Sequence, residues 1–142
     1  MATNRAAVPV YEAVEPINLI MRQGFIGGLR LPFRSKETKN PVDVGQWRFA
    51  VEQLDLYTGV VSDGQISNLE PSAEAVGTLS MEPSSVLGEA LVMIPAGFYN
   101  APIAPESTTL PVAIAMIRVT LPTGESHIFE IRIAICDGDR TP

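Results

Sequence analysis

The stretch from Val112 to Cys136 constrains the fold of this chain more than any other. Phe129, Ile131, Ile133 and Ile135 recur at every second position, with Glu130 and Arg132 between them. Period-2 alternation puts one set on a core face and the other toward solvent, as in a half-buried antiparallel strand. Just upstream, Ala113, Ala115, Ile117, Val119 and Leu121 alternate in the same way, and Pro122-Thr123-Gly124-Glu125 separates the two runs. Together they read as the arms of a hairpin. The alternation returns near the start of the chain. Ile17, Leu19 and Met21 oppose Asn18 and Arg22; Leu29, Leu31 and Phe33 oppose Arg30, Pro32 and Arg34; Trp47, Phe49 and Val51 oppose Arg48 and Glu52. Pro32 has no N–H to give a ladder, so its strand belongs at a sheet edge or at a bulge.

The chain between these runs is punctuated by Gly and Pro, 11 and 12 in number. Such spacing favours many short strands over a few long helices. Ser62-Asp63-Gly64 signals a turn, with a short hairpin from Tyr57–Val61 to Gln65–Asn68 inside the weakly patterned segment 55–77. Thr78–Glu82 and Glu89–Ile94 read as strands, with a single helical turn near Ser84–Leu87 between them. Residues 95–111 carry four of the twelve prolines and read as a loop or extended crossover. With 142 residues the chain suits one domain. The expectation is an all-β protein, an antiparallel β-sandwich of about seven to eight strands over residues 17–136. An extended N-terminal arm (1–16) precedes it and a short C-terminal tail (137–142) follows.

Nothing in the chain is spaced for catalysis. His127 and Cys136 are the sole residues of their types. They lie in one strand, roughly 30 Å apart when extended, too far to share a metal or form a nucleophile–base pair. Gly24-Phe25-Ile26-Gly27-Gly28 lacks the spacing of a phosphate-binding loop. Asp137 and Asp139 are a fragment of a calcium loop without its other oxygens. The expectation is therefore no enzyme, no cofactor, no metal and no small-molecule substrate. A single Cys leaves no internal disulfide, which fits a reducing compartment. The longest strongly apolar run, Val112–Ile117, is too short to span a bilayer, so no membrane is expected.

Net charge is −6. Residues 1–50 hold seven Lys/Arg and four Asp/Glu; residues 51–142 hold three and twelve. An acidic chain is a poor partner for phosphates, so nucleic acid is not expected. The asymmetry can instead set the basic part of one copy against the acidic part of another.

Several residues are candidates for contact with a partner. Arg30, Arg34, Lys36 and Lys39 form a basic group. Val8, Val10, Tyr11 and Val14 give the arm apolar side chains to dock. Phe98 and Tyr99, in the Pro-rich segment, can anchor a partner or plug the end of the sandwich. Val112, Ile114 and Met116 make the first arm of the closing hairpin apolar on both faces. A sandwich strand needs one such face only, so these three call for cover from the Pro-rich loop, the arm or another subunit. Trp47 shares its face with Phe49 and Val51 and is assigned to the core.

Several short motifs carry a resemblance. Ile17-Asn18-Leu19-Ile20-Met21-Arg22 with Gln23-Gly24 is similar to an opening strand and its "Q-G" turn. Pro41-Val42-Asp43-Val44-Gly45 stands where a "pro-val-asp-leu-thr-gly" turn leads to the next strand, without the usual Thr. Ala96-Gly97-Phe98-Tyr99 is similar to a "pro-gly-x-tyr" approach. Thr120-Leu121-Pro122-Thr123-Gly124, with Ile128-Phe129-Glu130-Ile131, is similar to a closing hairpin. Over about 17–135 the chain resembles the immunoglobulin-like structural module of phage tail and baseplate proteins. The resemblance implies an immunoglobulin-like sandwich and a virion structural role in a tail, baseplate or fibre attachment, assembled in the host cytoplasm. It implies docking to other virion structural proteins and to copies of itself. A capsid cement or decoration protein is the alternative within virions. A carbohydrate-binding module is the alternative of another class, which asks for aromatics on an exposed strand face.

Overall fold

The computed structural model describes residues 16–35, 38–104 and 108–137. Among them the chain forms eight strands and no helix. These are β1 (Ile17–Arg22), β2 (Gly27–Pro32), β3 (Arg48–Ser62) and β4 (Gln65–Pro71), followed by β5 (Ser80–Pro83), β6 (Glu89–Ile94), β7 (Thr109–Thr120) and β8 (Ser126–Cys136). A five-stranded sheet runs in the order β1-β8-β7-β3-β4, and a three-stranded sheet in the order β2-β6-β5. β2 lies at an edge, where the missing N–H of Pro32 does no harm.

The two sheets bury their apolar faces in one core. Leu31, Phe33, Ala90, Val92 and Ile94 of the smaller sheet and its flank share it with Ala115, Ile117, Phe129, Ile131 and Ile133 of the larger. Trp47 belongs to the same cluster. Its ring meets Phe33 edge-on, with centroids 5.5 Å apart and planes at 75°, a favoured aromatic geometry. The backbone of Trp47 donates to the carbonyl of Val44 at 3.0 Å, closing the Pro-Val-Asp-Val-Gly turn. Within that turn Asp43 accepts from the N–H of Gly45 at 2.9 Å, the local bond that makes Asp a turn residue.

Two features depart from the alternation. First, β3 is one strand of 15 residues. The sequence suggested two shorter runs, at Trp47–Val51 and Tyr57–Val61. A bulge joins them: Val51 pairs with Ile117 and Gln53 with Met116, which leaves Glu52 as the extra residue. The inward set then shifts from Phe49 and Val51 to Leu54 and Leu56. An inserted residue changes the parity of every later side chain. Second, β1 pairs with β8 in parallel, Ile17 beside Ile131 through Arg22 beside Cys136. Every other strand pairing is antiparallel. Strand direction leaves no mark on a period-2 pattern, so this pairing corrects a uniformly antiparallel expectation.

The turns follow their residues. Asp63 and Gly64 both have positive φ, 52° and 75°, as a two-residue primed hairpin turn requires. The closing hairpin turns through a Leu121 N–H bond to Glu125 and a Gly124 N–H bond back to Leu121. Between β5 and β6 there is no helical turn. Ser84 takes its side-chain oxygen to the N–H of Val86 at 3.0 Å and its own N–H to Glu89 at 2.9 Å, bonds that compete with a helix.

Candidate docking surfaces

The outer face of the five-stranded sheet carries a second, smaller apolar cluster. Val112 and Ala134 are fully buried there, with Ile66, and Ile20, Val61, Leu69 and Ile114 pack around them. The cover comes from the β3–β4 hairpin. Asn18 of β1 donates its side-chain amide to the carbonyl of Gly64, at the hairpin tip, at 3.3 Å. β8 and β7 separate β1 from β3 within the sheet. That bond therefore requires the hairpin to bend back across the outer face. Gly59 permits the bend, since a Cβ there would sit 3.0 Å from Ile66 Cγ2 and 3.1 Å from Leu69 Cδ2. A second register shift lies between Thr58 and Val60 opposite β4, where Asn68 has φ 53°, a conformation Asn tolerates better than most residues. Val112 is thus removed from the exposed candidates, and its cover is neither the Pro-rich loop nor a second subunit.

Ile114 and Met116 remain partly exposed on the same outer face. They line the floor of an open depression of about 370 Å³, together with Leu69 and Tyr57. Its rim is polar. Gln53 donates to Asp55 at 2.6 Å, and Arg132 pairs with Glu130. Farther along the face, Arg118 bonds Glu52 at 3.1 Å and Ser126 at 3.2 Å.

Phe98 and Tyr99 are core residues in this structure, at 3% and 8% exposure, and not surface anchors. Their loop is held from two sides. Gln23 donates to the carbonyls of Tyr99 and Ala101, and Gly77 donates to Phe98 at 2.7 Å. With its carbonyls satisfied, the loop can lie against the sandwich and turn its aromatics inward. Burial, and secondarily the negative charge of Glu74, raise the Tyr99 phenol above the ordinary value of 10.0.

The basic candidates lie on the other side of the molecule. Arg30 points out from β2 with 74% of its side chain exposed, its Nε 3.6 Å from Glu89. Arg34 donates to the carbonyl of Lys39 at 3.3 Å and bridges to Pro41, so these two share one small loop. The candidate interface is therefore divided. Ile114 and Met116 sit on the outer face of the larger sheet, and Arg30, Arg34 and Lys39 beside the smaller one. Val8, Val10, Tyr11, Val14 and Lys36 lie outside the described residues.

The sequence reading missed the most exposed apolar side chains. Phe25 and Ile26 stand in the β1–β2 turn at 36% and 64% exposure, and Val86 and Leu87 in the β5–β6 turn at 50% and 63%. Only Ile128 among the described residues joins them as an exposed large hydrophobic. Four of the five thus flank the three-stranded sheet. Ile26, Leu79, Met93 and Pro95 also line a depression of about 370 Å³ at its end. The available signal was an apolar pair enclosed by glycines at Gly24-Phe25-Ile26-Gly27, where turns are ordinarily polar.

Among the described residues no group of three or more His, Cys, Asp and Glu could hold a metal ion. His127 lies 3.1 Å from Glu125. Cys136 is buried, its Sγ 3.3 Å from the carbonyl of Met21. In comparisons with protein-family models, with curated proteins and with solved structures, nothing matches this chain.

Proposed function

We propose that this protein is a non-enzymatic docking module, a virion structural component of a phage tail, baseplate or fibre attachment with an immunoglobulin-like sandwich. The observation that carries the docking role is the placement of Phe25, Ile26, Val86 and Leu87. Large apolar side chains held in solvent on turns at both ends of one sheet cost free energy unless a partner covers them. The tail or baseplate setting rests on the motif resemblance. The motif residues have structural work that suits such a module: Gln23 ties down the Pro-rich loop, and Asp43 closes the turn before Trp47.

The test is quantitative mass spectrometry and cryo-EM of purified particles from a lysate in which the gene is expressed. The chain should co-purify with particles at tail stoichiometry, and Ile26→Glu should abolish its incorporation without lowering its melting temperature. Head stoichiometry would move it to capsid decoration. Recovery of the wild-type chain only in the particle-free fraction would overturn the reading.

A further inference from the structure

Ile114 and Met116 floor an open depression of about 370 Å³ on the outer face of the larger sheet. The described chain begins beside it. β1 runs parallel to β8 with Ile17 next to Ile131, so the same register puts Pro16 next to Glu130. Glu130 pairs with Met116 of β7, and Met116 with Gln53 of β3. Glu130, Met116 and Gln53 all line the depression. One row of residues thus leads from the point where the chain enters β1 straight across the depression.

The chain cannot arrive at Pro16 as a longer β1. Pro16 has no N–H to give the ladder. A ladder carried back to residue 15 would turn the Glu15 carboxylate to the core face beside Phe129, which is 3% exposed. The preceding residues carry a different pattern. Val8, Tyr11 and Val14 recur at every third position, with Pro9, Glu12 and Glu15 on a second stripe and Val10, Ala13 and Pro16 on a third. Three residues per turn is the period of a polyproline II helix, a form that Pro9 and Pro16 favour in themselves and in the residues before them. In that form the segment presents an apolar stripe of Val8, Tyr11 and Val14 and keeps its two carboxylates on another side. We propose that Tyr11 and Val14, which lie outside the described residues, seat in the depression of their own chain.

The reach fits. Strands in a sheet lie about 4.8 Å apart, so Met116 on β7 is about 10 Å from β1 and Gln53 on β3 about 14 Å. Polyproline II rises about 3.1 Å per residue, which carries Val14 about 6 Å and Tyr11 about 16 Å across the face from Pro16. Val14 then falls short of Met116 and Tyr11 beyond it, toward Gln53 and Tyr57, with the Met116 side chain between them. Val14 also shields Ile128, two positions from Glu130 on the same face of β8 and 46% exposed. A segment tethered this close stands at the depression at a millimolar effective concentration, which a second copy or a partner must exceed. Ile114 and Met116 thereby join Val112 as residues covered within one chain, and Phe25, Ile26, Val86 and Leu87 remain for a partner.

The experiment is peroxide oxidation of the full chain, followed methionine by methionine by peptide mass spectrometry, with circular dichroism as the folding control. Oxidation of a methionine follows its access to solvent. In Tyr11→Asp with Val14→Asp, Met116 should oxidise about tenfold faster than in wild type, the change expected when a well-buried apolar contact is lost. Met21, at 4% exposure, should keep its slow rate. Tyr11→Phe with Val14→Leu should keep Met116 protected. The wild-type rate should also hold through about a hundredfold dilution, since a contact within one chain does not follow mass action. In the wild-type chain, nuclear Overhauser contacts should join the Met116 methyl to the Tyr11 ring. Equal Met116 rates in wild type and the Asp variant overturn the seat, and so does the absence of those Overhauser contacts if the variant fails to fold. Protection that fades on dilution assigns the cover to another copy's segment and overturns the seat within one chain.

Discussion

The side-chain amide of Gln23 lies 2.7 Å from the carbonyl oxygen of Ala101, 78 positions away in sequence. The same amide reaches the carbonyl of Tyr99 at 3.1 Å, and the Gln23 backbone N–H extends the β1–β8 ladder to Cys136 at 2.8 Å. One residue thus joins the end of a sheet to the Pro-rich loop. Gln23→Ala strands two carbonyls and should cost about 1–3 kcal/mol in urea unfolding. Gln23→Glu should cost at least as much, because a carboxylate cannot donate to either oxygen. In both variants the amides of residues 97–101 should exchange faster with solvent.

Trp47 is the only tryptophan, and it is 7% exposed. Its emission should be blue-shifted in the native protein and move to the red in the same transition that far-UV circular dichroism records. Trp47→Ala removes the partner of Phe33 and should destabilise by about 3–5 kcal/mol. A small loss of stability would place this ring outside the energetics of the core.

Gly59 should resist enlargement although its strand favours β-branched residues. Gly59→Val drives new methyl groups toward Ile66 and Leu69, with the carbonyl of Ser67 only 3.2 Å from the Cβ position. Overpacking of this kind costs about 1–3 kcal/mol. The loss should appear first in the hairpin, as weaker hydrogen-exchange protection of 60–70 than of β8.

Tyr99 should make the protein sensitive to alkali. Its phenol is held above the ordinary 10.0, first by burial and then by Glu74. Above that ordinary value the unfolded chain loses this proton while the native protein keeps it. The unfolded state then binds fewer protons, and stability falls as pH rises until the native phenol also ionises. Urea midpoints measured from about pH 9 to about pH 11 should fall for wild type, and fall less steeply for Tyr99→Phe. Equal slopes would assign the alkaline loss to other groups.

The strands were legible wherever one face is apolar and the other polar. Ile17–Met21, Glu89–Ile94 and the closing hairpin fall where their alternation puts them, and Pro32 lies in an edge strand. Where a residue's surroundings come from distant sequence, local pattern could not decide. The bulge at Val51 and Gln53 left only a slip of parity between Val51 and Leu54, which made one strand look like two. Phe98 and Tyr99 read from sequence as contact residues on a loop, and bonds from Gln23 and Gly77 settle them inward instead. Val112 asked for a cover, but its source depended on a hairpin bending far enough to bond Asn18.

The parallel pairing of β1 with β8 has a consequence for how the molecule is made. Met21 and Cys136 touch across 115 positions of sequence. A ribosome that has released β1 must therefore extend nearly the whole domain before its ladder partner emerges. Until then Met21 lacks the strand beside which it is buried, and Ile17 and Leu19 the one that partly covers them. Contacts of such high sequence separation slow folding, and an unpaired apolar strand in a nascent chain invites association with a chaperone or a neighbouring polysome product. Release of the last strand is then the step that commits the chain to its fold, and yield in cells should depend more on elongation through residues 126–136 than on any earlier segment.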